Sequence, residues 1–263
     1  MHRATDTENQ PARTEPPQRR RVGLVLPSVQ VVTEPLFNRL LGETHDFIAS
    51  RVLLRGATTA DLIAMEEQVP RAIEELVTAH VDLLVSCCTA SGAIRGLQAD
   101  LAFCQAVESE TGIPMTTTMS SIVRRLRDLD VRRITVVTPY LPELAEVEHR
   151  YLEENGFDVV ASADQGISDG FEIAEAAVDA IVDLALTAWT PDSEVMLLSC
   201  MNWPAVQAVA ALEARTGKPV VTSHSATLWD IQRRLDPPAV ASTKVVCDGP
   251  GDQRALNVEA ATA

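Results

Sequence analysis

The chain has 263 residues, 46% of them hydrophobic, and its 37 acidic against 22 basic side chains give a formal net charge of -15. That is enough apolar material for one large or two small cores, while the acidity offers no electrostatic footprint for nucleic acid or an anionic membrane surface. No apolar run approaches the roughly 18 residues of a membrane span.

Residues 1–20, rich in proline and charge, lack the apolar stretch of an export signal and read as a disordered tail. The five cysteines, Cys87, Cys88, Cys104, Cys200 and Cys247, show no paired metal spacing. Reduced thiols and a cytoplasmic location are therefore expected.

From residue 21 onward, short apolar runs alternate with longer amphipathic stretches, the pattern of parallel strands joined by crossover helices. Strands are predicted at 22–26, 50–54, 81–86, 113–117, 134–138, 158–162, 195–199 and 219–223. Between them, 61–80 carries Leu62, Met65, Val69, Ile73, Leu76 and Val77 at helical spacing, and 171–188 reads the same way; each is predicted as one covering helix. The expected fold class is α/β, with two pseudo-symmetric four-stranded parallel-sheet halves, 21–118 and 119–223, and the active site in the cleft between them. A C-terminal helix over 224–240 is predicted to pack back on the N-terminal half, followed by a tail at 241–263.

The two halves repeat each other in sequence. Arg20-Arg21-Val22-Gly23-Leu24-Val25-Leu26-Pro27 resembles Arg132-Arg133-Ile134-Thr135-Val136-Val137-Thr138-Pro139 at an offset of 112 residues. Thr111-Gly112-Ile113-Pro114 returns as Thr216-Gly217-Lys218-Pro219 at an offset of 105, so one helix in between should be shortened. Cys88 and Cys200 are also 112 apart, each 61 residues after its half's marker proline, at the carboxyl end of the third strand. Ligands of open α/β sheets bind beyond those ends, so two halves facing each other bring Cys88 and Cys200 together.

A lone cysteine ending a strand is ordinarily a small buried hydrophobe, and Cys104 and Cys247 are read that way. Packing alone gives no reason for the same residue at the same point of both repeats. Each of the paired cysteines precedes a turn into a predicted helix, whose free N–H groups lower a thiol pKa and bind carboxylates. Two thiols on opposite faces of one carbon suit proton exchange across it, or covalent addition by one and proton handling by the other. Neither scheme calls for a metal or a cofactor. Cys87 points to the opposite face of its strand from Cys88.

The turns Pro27-Ser28-Val29-Gln30-Val31-Val32-Thr33-Glu34, Cys88-Thr89-Ala90-Ser91, Thr138-Pro139-Tyr140 and Ser199-Cys200-Met201-Asn202, in this order, resemble the aspartate/glutamate racemase superfamily, and most of all its maleate isomerase and arylmalonate decarboxylase branch. The resemblance covers about 22–235. It implies that Cys88 adds to the substrate double bond, that Cys200 protonates the neighbouring carbon, and that rotation and elimination return the trans isomer. It also implies substrate-carboxylate contacts from Tyr140 and from N–H groups at Thr89, Ala90, Met201 and Asn202, with Gln30 in the first-strand turn as a further substrate-binding residue. Decarboxylases of this branch typically keep only the second cysteine, so two thiols favour a maleate-type cis-trans isomerase.

Maleate isomerases carry asparagine where Gln30 stands and a second asparagine in the loop that here reads Gln165-Gly166-Ile167-Ser168-Asp169-Gly170. Glutamine retains the amide but shifts it by about 1.5 Å. The alternatives are a two-thiol amino-acid or hydantoin racemase, an arylmalonate-type decarboxylase and a non-catalytic anion-binding module. His224 is a further candidate base, and Trp203 and Trp229 are candidate pocket walls. The expected partner is a small carboxylate substrate, with neither nucleic acid nor membrane; assembly into a homo-oligomer is left open.

Overall fold

The structure, a computed structural model, describes residues 19–56 and 58–236. Its first strand, β1 (Arg20–Pro27), is buried from Val22 onward, which is why the run reads as continuously apolar: helices cover both faces of a parallel sheet. The first half continues through α1 (Thr33–Leu41), β2 (His45–Val52), α2 (Thr59–Glu66), α3 (Val69–Thr78), β3 (Leu83–Ser86), α4 (Thr89–Arg95), α5 (Leu97–Thr111), β4 (Met115–Thr117) and α6 (Thr118–Asp128). The second runs through β5 (Arg133–Thr138), α7 (Pro142–Glu154), β6 (Asp158–Asp164), α8 (Gly170–Ala174), α9 (Val178–Ala188), β7 (Val195–Leu198), a 3-10 turn (Ala205–Ala208), α10 (Val209–Thr216), β8 (Val220–Thr222) and α11 (Ser223–Leu235).

Two four-stranded sheets result, ordered β2-β1-β3-β4 and β6-β5-β7-β8, every pair parallel. The repeat extends to the register. Val22 faces Leu83 as Ile134 faces Val195, each shifted by 112, and Leu84 faces Met115 as Met196 faces Val220, the last shifted by 105. Gly112 and Gly217 end α5 and α10 at φ 71° and 65°, the left-handed conformation that glycine adopts without a Cβ penalty. The lost seven residues fall where expected: α5 has 15 residues and α10 has 8.

Three elements depart from the sequence reading. The covering helix expected over 61–80 is two helices, α2 and α3. Pro70, in the first turn of α3, has no N–H to give the Glu66 carbonyl and its ring crowds that carbonyl, so the helix restarts there. The helix expected over 171–188 is likewise divided into α8 and α9, with Ala177 extended between them; no proline or glycine marks that break. β2 begins five residues before the predicted 50–54, because its polar residues lie along the half-covered edge of the sheet.

Each sheet is covered in part by a helix that follows the other one. Met119, Ile122 and Leu126 of α6 pack with Ile134, Val136 and Leu197 of the second sheet, and Leu228 and Ile231 of α11 pack with Val22, Leu24 and Phe37 of the first. Asp100, fully buried on α5, fastens the exchange: it accepts hydrogen bonds from Thr117 Oγ1 at 2.6 Å, Ser120 Oγ at 3.1 Å and the Tyr151 hydroxyl at 3.2 Å, and pairs with Arg95 at 2.6 Å. Among the described residues no helix is long and apolar enough to cross a membrane. Most of the predicted tail at 1–20, positions 237–240 of the predicted C-terminal helix, the tail at 241–263 and Cys247 lie outside the described residues.

Candidate active site

In the order β2-β1-β3-β4 the chain reverses direction between β1 and β3, and in the second sheet between β5 and β7. At such points the loops leave in opposite directions and open a crevice. The segments beyond these four strands carry Gln30, Cys88, Tyr140 and Cys200, and all four residues line one cleft of about 480 Å³, part of it open solvent. The two thiols thus meet in a single cavity contributed by both halves. Among the described residues no three of His, Cys, Asp and Glu cluster as metal ligands.

Cys88 is the N-cap of α4, in extended conformation, with Thr89 and Ala90 in the first turn behind it. First-turn N–H groups have no acceptor within their own helix, and both residues line the cleft. Ser91 follows in the same turn, and its proximity opposes the effect of burial on the Cys88 thiol. Cys200 receives the Asn202 N–H at 3.3 Å, and Tyr140 lines the cleft with it. The helix terminus was expected to bring these thiols toward neutrality; burial prevails instead. Desolvation raises Cys88 despite Ser91, and raises Cys200 to about 12 despite Tyr140 and Asn202. Burial and the neighbouring Cys200 also push the Tyr140 phenol well above its ordinary value, so it stays a donor.

The other expected residues are present with altered tasks. Gln30 lines the cleft, but its amide donates to the Cys87 carbonyl at 2.7 Å, and its Oε1 lies 3.0 Å from Thr33 Oγ1, whose one proton it shares with the Met201 carbonyl, fixing the turn after β1. The Asn202 side chain ties three segments together: it accepts from Val31 N at 2.9 Å and donates to Gly170 O at 2.7 Å and Val29 O at 3.2 Å. Met201 also lines the cleft, and its carbonyl accepts from Thr33 Oγ1 at 2.7 Å. Tyr140 lines the cleft together with Cys200 and Thr89.

Cys87 packs away from the cleft among Leu24, Leu36 and Phe37. His224 is fully buried beneath the first sheet, edge-on to Phe37, and burial lowers it to about 4, so it is neutral and does not line the cleft. Trp203 is core, donating to Gln165 Oε1 at 3.1 Å, and Trp229 stacks with Arg125 and Arg233.

Sequence reasoning missed the apolar wall. Leu54 after β2, Leu62 on α2, Leu144 on α7 and Ile173 on α8 line the cleft beside the thiols. In the sequence Leu54 ends a predicted strand and Leu62 is one of the helix-periodic positions, but neither is marked as a cleft residue, because which side of a covering element overhangs the cleft depends on packing.

The chain matches the arylmalonate decarboxylase family over residues 22–246. It is 28% identical to a maleate isomerase of Pseudomonas putida over 82% of this chain and 92% of that one, and 30% identical to an arylmalonate decarboxylase of Bordetella bronchiseptica over 81% and 89%. A solved Nocardia farcinica maleate cis-trans isomerase mutant with a covalently bound succinylcysteine intermediate superposes with a TM-score of 0.81 at 25% identity, covering 85% of this chain and 95% of that one. The chain is a member of the arylmalonate decarboxylase family.

Proposed function

We propose that this chain is a cofactor-independent cis-trans isomerase of maleate type, acting on a small cis-unsaturated carboxylate. The observation that carries the reading is the pair of thiols, Cys88 and Cys200, in one cleft built by both halves. The succinylcysteine on the Nocardia relative is the adduct that thiolate addition to maleate produces, which supports the same chemistry here.

The Cys88 thiolate, favoured within its population by Ser91 and the α4 terminus, forms a C–S bond to one alkene carbon. The π electrons take the Cys200 proton at the other carbon, leaving a thiolate there that the Tyr140 hydroxyl and Asn202 N–H stabilise. The bond, now single, rotates. Cys200 then recovers a proton from the same carbon, the C–S bond breaks, and the trans alkene leaves with both sulfurs as they began. Thr89 and Ala90 N–H groups hold a carboxylate, while Leu54, Leu62, Leu144 and Ile173 give an apolar substituent somewhere to go.

Racemisation is the second reading, because thiols supplied by opposite halves suit two-sided proton exchange. Incubation in D2O with maleate, an alkyl-substituted maleate, an aryl-substituted malonate and α-amino acids, followed by NMR, decides between them. Conversion of a cis alkene diacid to its trans isomer is the expected result; α-carbon deuterium in recovered amino acid with no alkene conversion overturns it.

A further inference from the structure

Glu148 lies on α7 with 1% of its surface exposed, and among the described residues neither of its carboxyl oxygens has a hydrogen-bond partner. Such burial is costly for a carboxyl unless the site uses it. Its polar neighbour is Ser199, which immediately precedes Cys200 and falls short of a full hydrogen bond to it. From Ser199 a line of hydroxyls continues to Ser223 Oγ at 3.4 Å and on to Thr89 Oγ1 at 3.2 Å, next to Cys88.

The internal repeat shows that packing does not need this carboxyl. Arg21 faces Asp46 as Arg133 faces Asp158, so the connection holding α1 and the one holding α7 have equal length, and Glu148 corresponds to Leu36. Leu36 is 4% exposed and packs in the same cluster as Cys87, the counterpart of Ser199. One copy therefore has Leu36 with Cys87, and the other has Glu148 with Ser199. Both members of the pair became polar under the second thiol.

The geometry points to Glu148 as a positioning residue: its protonated carboxyl beneath Cys200 lets that thiol release its proton, and ionisation of Glu148 opposes the step. The assignment rests on the isomerase reading, in which a thiolate forms at Cys200 during each turnover. An anion buried beside it in a low-dielectric site raises the cost of that thiolate and repels an incoming carboxylate. Burial raises Glu148 to about 7, with Asp164 adding to the effect and Ser199 opposing it. The groups around it offer no countercharge. Asp164 of β6 is another carboxyl and accepts from Thr138 Oγ1, Asp158 at the other end of β6 pairs with Arg132, and Arg95, the titratable side chain of α4, is paired with Glu66 and Asp100. Tyr140 and Cys200 both feel the Glu148 charge.

The test compares wild type, Glu148→Gln and Glu148→Leu between pH 5.5 and 9. Two readouts are taken: kcat/KM on maleate, and the iodoacetamide alkylation rate of Cys200 mapped by mass spectrometry. Wild-type kcat/KM should stop rising above about pH 7, whereas both variants continue upward as Cys88 ionises. At pH 8 Cys200 should be alkylated faster in Glu148→Gln, about tenfold for each unit by which its pKa falls. An infrared carboxylic-acid band that disappears on raising the pH should be present in wild type and absent from Glu148→Gln. Alkylation and pH profiles that superimpose on wild type overturn the assignment. The alkylation effect without any maleate turnover leaves the charge coupling standing and removes the isomerase reading instead.

Discussion

At four matched positions around the strands that build the cleft, the first copy of the repeat carries Leu36, Cys87, Ala90 and Met119, and the second carries Glu148, Ser199, Asn202 and His224. The β1–β3 and β3–β4 registers coincide with those of β5–β7 and β7–β8, so the strand ends that carry these segments are equivalent in the two sheets. The first set is apolar throughout, while the second supplies a carboxyl, a hydroxyl, an amide and an imidazole. Duplication thus provides a thiol on each side, and the polar substitutions of one copy make the two sides unequal. A reaction in which one sulfur bonds carbon and the other handles a proton needs that inequality.

The largest expected difference between the copies is in the thiols themselves. Serine keeps the size of cysteine but is far less acidic and a poor nucleophile without a base. Cys88→Ser should abolish turnover and show no adduct by mass spectrometry. Cys200→Ser should still gain the mass of one substrate while turnover falls by about 10²–10⁴-fold, the usual range for a lost general acid. Loss of turnover in both variants with no adduct in either would establish symmetric, two-base chemistry.

The sheets and the paired thiols were legible because their signals are local and repeated: eight apolar runs, and a cysteine at the same distance from a proline in each half. The inequality was not. Glu148 is one of five glutamates on α7, and nothing in the helical pattern separates it from the exposed ones until the helix is docked on its sheet. The offset of 112 that relates the cysteines also aligns Glu148 with Leu36, so the inequality is present in the repeat, at a helix position whose burial the sequence does not reveal. The thiol ionisation was misjudged for a different reason: a sequence shows that a cysteine precedes a helix, but the depth of the cleft, and hence desolvation, emerges only from the fold. The exchange of α6 and α11 between sheets, which buries His224 beneath the first copy, likewise depends on packing.

A second prediction replaces buried groups by their counterparts. Glu148 titrates near 7 when folded against 4.5 unperturbed, so the native state holds its proton longer and stability falls as pH rises from 4.5 through 7. Glu148→Leu should remove that loss, gaining up to roughly 3 kcal/mol at pH 8 over its effect at pH 4. His224 runs the other way: lowered from 6.5 to about 4, it costs stability as pH falls from 6.5. His224→Met should relieve a penalty approaching roughly 3 kcal/mol toward pH 4 and have no such pH-dependent gain at pH 8. Urea unfolding of the three proteins across this range checks both; curves that stay parallel would mean that neither group titrates in the fold as its burial requires.

The smallest expected effect is at Asn202, whose counterpart is Ala90. Its side chain joins Val29 and Val31 of the first half to Gly170 of the second over the cleft, through one accepted and two donated hydrogen bonds. Asn202→Ala leaves the backbone N–H that faces Cys200 in place and removes only the tie. The Val31 N–H and Gly170 carbonyl can then turn to water, so the cost should be about 1–2 kcal/mol, nearer the net worth of hydrogen bonds than that of buried unpaired groups. The two loops carrying Gln30 and Ile173 lose their fixed spacing, and the cleft must be ordered again for each substrate. KM should therefore rise several-fold with kcat changed less, since a cost incurred on binding is shared by the ground and transition states. A fall in kcat at unchanged KM would instead place the Asn202 amide on the reacting atoms, giving the second copy a direct chemical role that its present hydrogen bonds do not predict.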